Sequence, residues 1–137
     1  MLSVVDNGLP RSKSPVSNTV RVNSQIYTVQ IPRDPETGLP SGDGDIMIQT
    51  HRVLTQLRRT MDAAGGDMNG VAQISVYIVD AADALGMNQV YREYFSEPYP
   101  NRATMVVKEL LGENQLIEIV VHAHVDVSAG AQRPGAR

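Results

Sequence analysis

The stretch Leu116 to Val127 reads LIEIVVHAHVDV, and strict alternation divides it into two faces. Ile117, Ile119, Val121, Ala123, Val125 and Val127 fall on one side, and Leu116, Glu118, Val120, His122, His124 and Asp126 on the other, because successive strand side chains point to opposite faces. Val71 to Val79, VAQISVYIV, repeats the pattern, with Ala72, Ile74, Val76 and Ile78 opposed to Gln73, Ser75 and Tyr77. Arg102 to Glu109 predicts a further strand. Val20 to Ile31, VRVNSQIYTVQI, predicts a strand or hairpin that ends in the turn-rich segment Pro32 to Pro40. Between Asp45 and Ala64 the period changes to three or four. Met47, Thr50, Leu54, Leu57, Met61 and Ala64 form a stripe, Arg52, Gln56, Arg58, Arg59 and Asp62 take the other sides, and Gly65-Gly66 stops the helix. A second helix follows Asp83 as N-cap, carries Met87, Val90, Tyr91, Tyr94 and Phe95, and breaks before Pro98 and Pro100.

These elements predict an α+β fold in which two helices pack on one face of a mixed sheet. Two helices cover only one face, so the face carrying Glu118, Val120 and His122 is left for water or another subunit. Its mixture of apolar and ionisable residues suits an oligomer interface with polar pockets. The 137 residues predict one domain with a core over about 16–127, flanked by a flexible N-terminal arm and C-terminal tail. Twelve Lys and Arg against fifteen Asp and Glu give a net charge of −3, which offers no basic footprint for nucleic acid. Absence of cysteine excludes a disulfide scaffold, a thiol nucleophile and a Cys-ligated zinc site. No apolar run approaches the ~18 residues of a membrane span and the N-terminus has no leader pattern, so a cytoplasmic protein without a membrane partner is expected.

Specific motifs sharpen this picture. Tyr99-Pro100-Asn101-Arg102-Ala103-Thr104-Met105 is followed by Leu116-Ile117-Glu118-Ile119. Gln30-Ile31-Pro32 precedes Asp34-Pro35-Glu36-Thr37-Gly38, and Asn88 and Tyr91 sit on the second helix. In this order of elements, the chain from Val16 to Val127 resembles the RidA/YjgF (L-PSP) family. The resemblance implies a chorismate-mutase-like fold assembled as a homotrimer, with ligand sites in the clefts between subunits. It also implies cofactor-free hydrolysis of reactive enamines or imines that bear a carboxylate, giving a 2-keto acid and ammonia.

By the same resemblance, Arg102 clamps the substrate carboxylate, for which a planar guanidinium fork is suited. Thr28 and Asn88 assist it, and Tyr91 and Glu118 belong to the substrate-binding set. Two positions depart from the family pattern. Val120 stands where archetypal deaminases carry a glutamate that holds the attacking water, and Ser14-Pro15-Val16 replaces a Gly-Pro-Tyr segment. Val16 and Val120 then offer apolar contacts to a larger substrate, and His122, on the same strand face as Val120, is a candidate base. No metal is expected, although His122, His124 and Asp126 share one face. The rival reading is a trimer that binds small carboxylates without hydrolysing them. A ribonuclease using His122 and His124 is disfavoured by the acidic charge and few stacking aromatics.

Overall fold

β6 (Ile117–His124) lies inside the sheet, with β3 (Gln25–Gln30) and β4 (Val71–Ile78) antiparallel on its two sides. The computed structural model describes residues 1–126. Six strands run in the order β1-β2-β3-β6-β4-β5, with β1 at Leu2–Val4, β2 at Thr19–Val22 and β5 at Asn101–Val106. Only β4 and β5 are parallel, which makes the sheet mixed. The alternation of β6 holds throughout: Ile117, Ile119, Val121 and Ala123 are at most 2% exposed, and the intervening residues reach the open face.

Both helices, α1 (Ile46–Ala63) and α2 (Ala84–Tyr91), join the apolar core on that buried side. The Asp45 carboxylate caps α1 by accepting from the Ile48 N–H at 3.0 Å. Gly65, at φ +88°, ends it, with Gly66 N–H donating to the Met61 carbonyl and Gly65 N–H to that of Asp62. Gln49 ties the start of α1 to the approach of β6. Its amide donates to the Asn114 carbonyl at 2.9 Å and accepts from the Leu116 N–H at 2.8 Å. Gly42 permits this packing, since a Cβ there would stand 2.0 Å from the Glu113 carbonyl oxygen.

The structure corrects several expectations. The α1 stripe begins at Ile46, while Met47 is 37% exposed, and Gln56 is buried rather than outward. Ala72 is the extra residue of a bulge between Val71 and Gln73, so Val71 enters the core and Ala72 is exposed. Asp83 makes no capping bond; Asp80 instead caps the short 3-10 turn Ala81–Asp83 that leads into α2. α2 itself stops at Tyr91, although the following turn still buries Phe95. The segment 20–31 is a hairpin of β2 and β3, and the strand that begins near Arg102 ends at Val106.

In place of a free N-terminal arm, Leu2–Val4 pairs with β2. Asn7 fastens the loop after β1 to the body of the protein, donating to Asn18 Oδ1 at 2.8 Å and to Thr60 Oγ1 of α1 at 2.9 Å. Val127 and the tail 128–137 lie outside the described residues.

Candidate functional site

Register alone builds the floor of a hollow on the open face. Val120 pairs with Val29 on one side and Ser75 on the other, and His122 pairs with Tyr27 and Gln73. These residues, together with Ser17, Asn18 and Thr28, line a hollow of about 380 Å³. Its floor is apolar where Val120 and Val29 are 40% and 38% exposed. The His122 ring stacks on Tyr27 with centroids 4.6 Å apart and planes at 14°. Its Nε2 donates to Gln25 Oε1, which can only accept. His124 instead bonds Ser24 Oγ at 3.0 Å. Among the described residues, no three His, Asp or Glu side chains gather closely enough to hold a metal ion.

Arg102 lies elsewhere. It pairs in parallel with Ile74, a core residue, so its side chain leaves β5 toward the helices. There the guanidinium lies over the Tyr91 ring at 4.6 Å and touches Met87 Sδ at 3.9 Å. Stacking occupies the face of the guanidinium and leaves its edge donors available for a carboxylate. Among the described residues, no carboxylate forms an ion pair with Arg102. Tyr91 is 6% exposed and its hydroxyl has no hydrogen-bond partner. Burial pushes the phenol pKa up, and the Arg102 charge partly opposes that shift. Asn88, half-buried one turn before Tyr91, completes this cluster on α2.

The expected residues therefore fall into two groups on opposite sides of the sheet. Arg102, Tyr91 and Asn88 stand at the β5 edge, and Val120 and His122 stand on the open face, with β4 between β5 and β6. The Thr28 hydroxyl joins neither. Thr28 pairs with Val121, which aims its side chain at the helices, where it bonds Thr19 and Gln30 at 2.8 Å each. Thr28 reaches the hollow with the rest of the residue. Glu118 is half-buried and accepts from Gln115 Nε2 at 3.2 Å. Val16 is 64% exposed just before the hollow's rim at Ser17. Tyr27, Gln25 and Met87 were not singled out from sequence. The alternation of β3, which sets Gln25, Tyr27 and Val29 against Ile26, Thr28 and Gln30, would have found the first two.

A family model described as endoribonuclease L-PSP matches residues 9–125. The chain belongs to the Rid (L-PSP) family. This Rid protein is 38% identical over 116 residues to a RutC family protein of Pyrococcus abyssi, covering 84% of this chain and 90% of the relative. It is 31% identical over 122 residues to the 3-aminoacrylate deaminase RutC of Acinetobacter baylyi, covering 89% and 96%. The fold matches a Rid-family protein of unknown function from Yersinia pestis with a TM-score of 0.82 at 29% identity, covering 91% of this chain and all (100%) of that one. No helix among the described residues is long and apolar enough to cross a membrane.

Proposed function

We propose that this Rid protein hydrolyses enamines or imines carrying a carboxylate, giving a 2-keto acid and ammonia. The observation that carries the reading is the Arg102 guanidinium, held over Tyr91 at 4.6 Å and, among the described residues, without a carboxylate paired to it. A substrate carboxylate would meet its donor edge through two parallel charge-assisted bonds. Asn88, one turn before Tyr91 on α2, is the group we assign to a polar substituent.

The hollow supplies the second half. Its apolar floor at Val120 takes the substrate side chain, and His122 Nδ1 takes a proton from water as the oxygen adds to the imine carbon. That proton then goes to nitrogen, giving a carbinolamine; as its hydroxyl proton passes to nitrogen in turn, by way of the same imidazole, the C–N bond breaks and ammonia leaves while the C=O bond forms. An enamine enters the same sequence after protonation at carbon. Since the two halves face opposite sides of one chain, each complete site takes Arg102 from one copy and Val120 and His122 from the next. A homotrimer with three such clefts is the assembly this reading expects, and the reaction needs no cofactor. The similarity to a 3-aminoacrylate deaminase supports the reaction class.

Ammonia and keto-acid release from imines generated by an amino-acid oxidase, over a range of side-chain sizes, tests the proposal. Wild type is expected to accelerate release, with larger apolar side chains preferred, and Arg102→Ala to abolish the acceleration. No acceleration by wild type on any imine would overturn it. Calorimetric binding of 2-keto acids in that case would favour the second reading, a carboxylate-binding protein, which rests on a valine where the water-holding glutamate is expected.

A further inference from the structure

Val120 and Val29 floor the hollow, and the side chain of neither can hydrogen-bond a water molecule. Hydrolysis needs one held in place, because the oxygen that adds to the imine carbon must arrive with a lone pair aimed at it. A group that holds it has to share the open face with Val120 and keep a polar atom free.

Register picks out Ser75. It lies directly across the β4–β6 ladder from Val120, and alternation along β4 turns it away from its buried neighbours Ile74 and Val76. Cβ atoms of such a pair stand about 4.5–5.5 Å apart, which sets the hydroxyl beside the Val120 side chain. His122 is the diagonal neighbour on the same face, with about 7–8 Å between Cβ atoms, a gap that one water molecule can span. Ser75 lines the hollow and is half-buried there.

Its hydroxyl is also unengaged. Among the described residues, the Ser75 side chain has no hydrogen-bond partner. Polar neighbours around the hollow are committed elsewhere. Asn18 Nδ2 donates to the Val29 carbonyl at 2.8 Å, and Asn18 Oδ1 accepts from Asn7 and Thr19. Gln73 Nε2 donates to Asn101 Oδ1 at 2.9 Å, which draws the amide toward β5 and away from β6. Glu118, two residues from Val120 on the same strand face, does not line the hollow and already accepts from Gln115.

We propose that the Ser75 hydroxyl holds the attacking water, which makes Ser75 a further catalytic residue; the assignment rests on the deaminase reading above. A serine hydroxyl has two acceptor lone pairs and one donor, so Oγ accepts one hydrogen of the water while the other points at His122. The lone pairs of the water oxygen are then left for the imine carbon. His122 takes the proton as the oxygen adds. Ser75 neither gains nor loses a proton and forms no bond to carbon. Being small and uncharged, it leaves the apolar floor open to the substrate side chain.

Ser75→Thr and Ser75→Val test this, because the two variants share a shape that suits a strand and differ in a hydroxyl against a methyl group. kcat and KM are measured for the full chain on the imine that wild type hydrolyses fastest. Ser75→Val is expected to lower kcat by at least about tenfold with KM within about threefold, whereas Ser75→Thr keeps kcat within about threefold of wild type. Circular dichroism checks the fold, and Ser75→Ala carries the test if Ser75→Val unfolds. Equal kcat in folded Ser75→Val and Ser75→Thr would overturn the assignment while leaving the deaminase reading in place. A rise in KM at unchanged kcat would overturn it too, by moving Ser75 from the water to substrate binding. A wild type inactive on every imine would remove the reaction, and this role for Ser75 with it.

Discussion

If each site joins two copies, two different crippled chains must repair each other. Arg102→Ala removes the guanidinium from the α2 cluster, and Val120→Trp places a ring in the hollow of about 380 Å³ on the other side of the sheet. Two charge-assisted bonds to a carboxylate contribute roughly 3 kcal/mol or more together, so Arg102→Ala is expected to lower kcat/KM by about 100-fold or more. Loss of its stack on Tyr91 costs only about 0.5–1 kcal/mol, which leaves the fold intact. The Trp variant is expected to be inactive for lack of space in the hollow. On the proposed homotrimer, chains co-expressed with two different tags and purified through both are expected to form mixed rings of three. In any such ring, of either composition, one cleft in three takes an intact Arg102 from one copy and an intact hollow from the next. Deaminase activity is therefore expected to return to about one third of wild type, because a ring of heterologous contacts gives each cleft one contributor per half. Activity in the mixed species no higher than in either parent would refute the division of the site between copies.

Two further predictions concern the frame around the site. Asn7→Ala removes the amide that joins the N-terminal loop to Asn18, to Thr19 of β2 and to Thr60 of α1, at about 1–3 kcal/mol in total, so Tm is expected to fall by roughly 4–10 °C. A melting curve unchanged from wild type would show that the N-terminal segment contributes nothing to the fold. Tyr91→Phe deletes a buried hydroxyl without a partner and is expected to raise the stability of the ligand-free protein by up to about 1 kcal/mol. Its pH dependence comes from the raised phenol pKa. Above about pH 10 the unfolded chain loses this proton while the folded chain retains it, so the stability it contributes is present below that pH and declines as pH rises. Denaturant unfolding between about pH 8 and 11 should show a shallower decline for Tyr91→Phe, and identical slopes would count against burial of the phenol.

Much of this architecture was readable from periodicity because the helices cover one face only. β6 has a dry side and an open side, and its alternation reports both without error from Ile117 to His124. α1 was similarly clear, Thr50 included, but its periodicity put Gln56 outward and passed over Gln49 and Thr60. Gln49 and Thr60 are buried for the hydrogen bonds they make, and a rule that sends polar residues outward has no access to such partners. The bulge at Ala72 was hidden because an inserted residue shifts the phase of alternation only when paired with β6. Strand β1 escaped notice since Leu2-Ser3-Val4 is too short for its alternation to stand out, and its place is set by pairing with β2.

The face taken by Arg102 is the decisive feature that sequence withheld. Its neighbours Asn101, Ala103 and Met105 leave either direction open, and only the parallel register with Ile74 turns the side chain toward α2. A guanidinium aimed into the core would be costly to bury unpaired. β5 avoids that cost by lying at the sheet edge, where Arg102 remains half-exposed and the Tyr91 ring supports its face. The same edge position separates it from the hollow by a whole strand. A chain that orients its cation so cannot also place it over its own Val120 and His122. A second copy, presenting its open face to this edge, would cover the exposed Val29, Tyr27 and Val120 and bring the missing half of the site in the same contact.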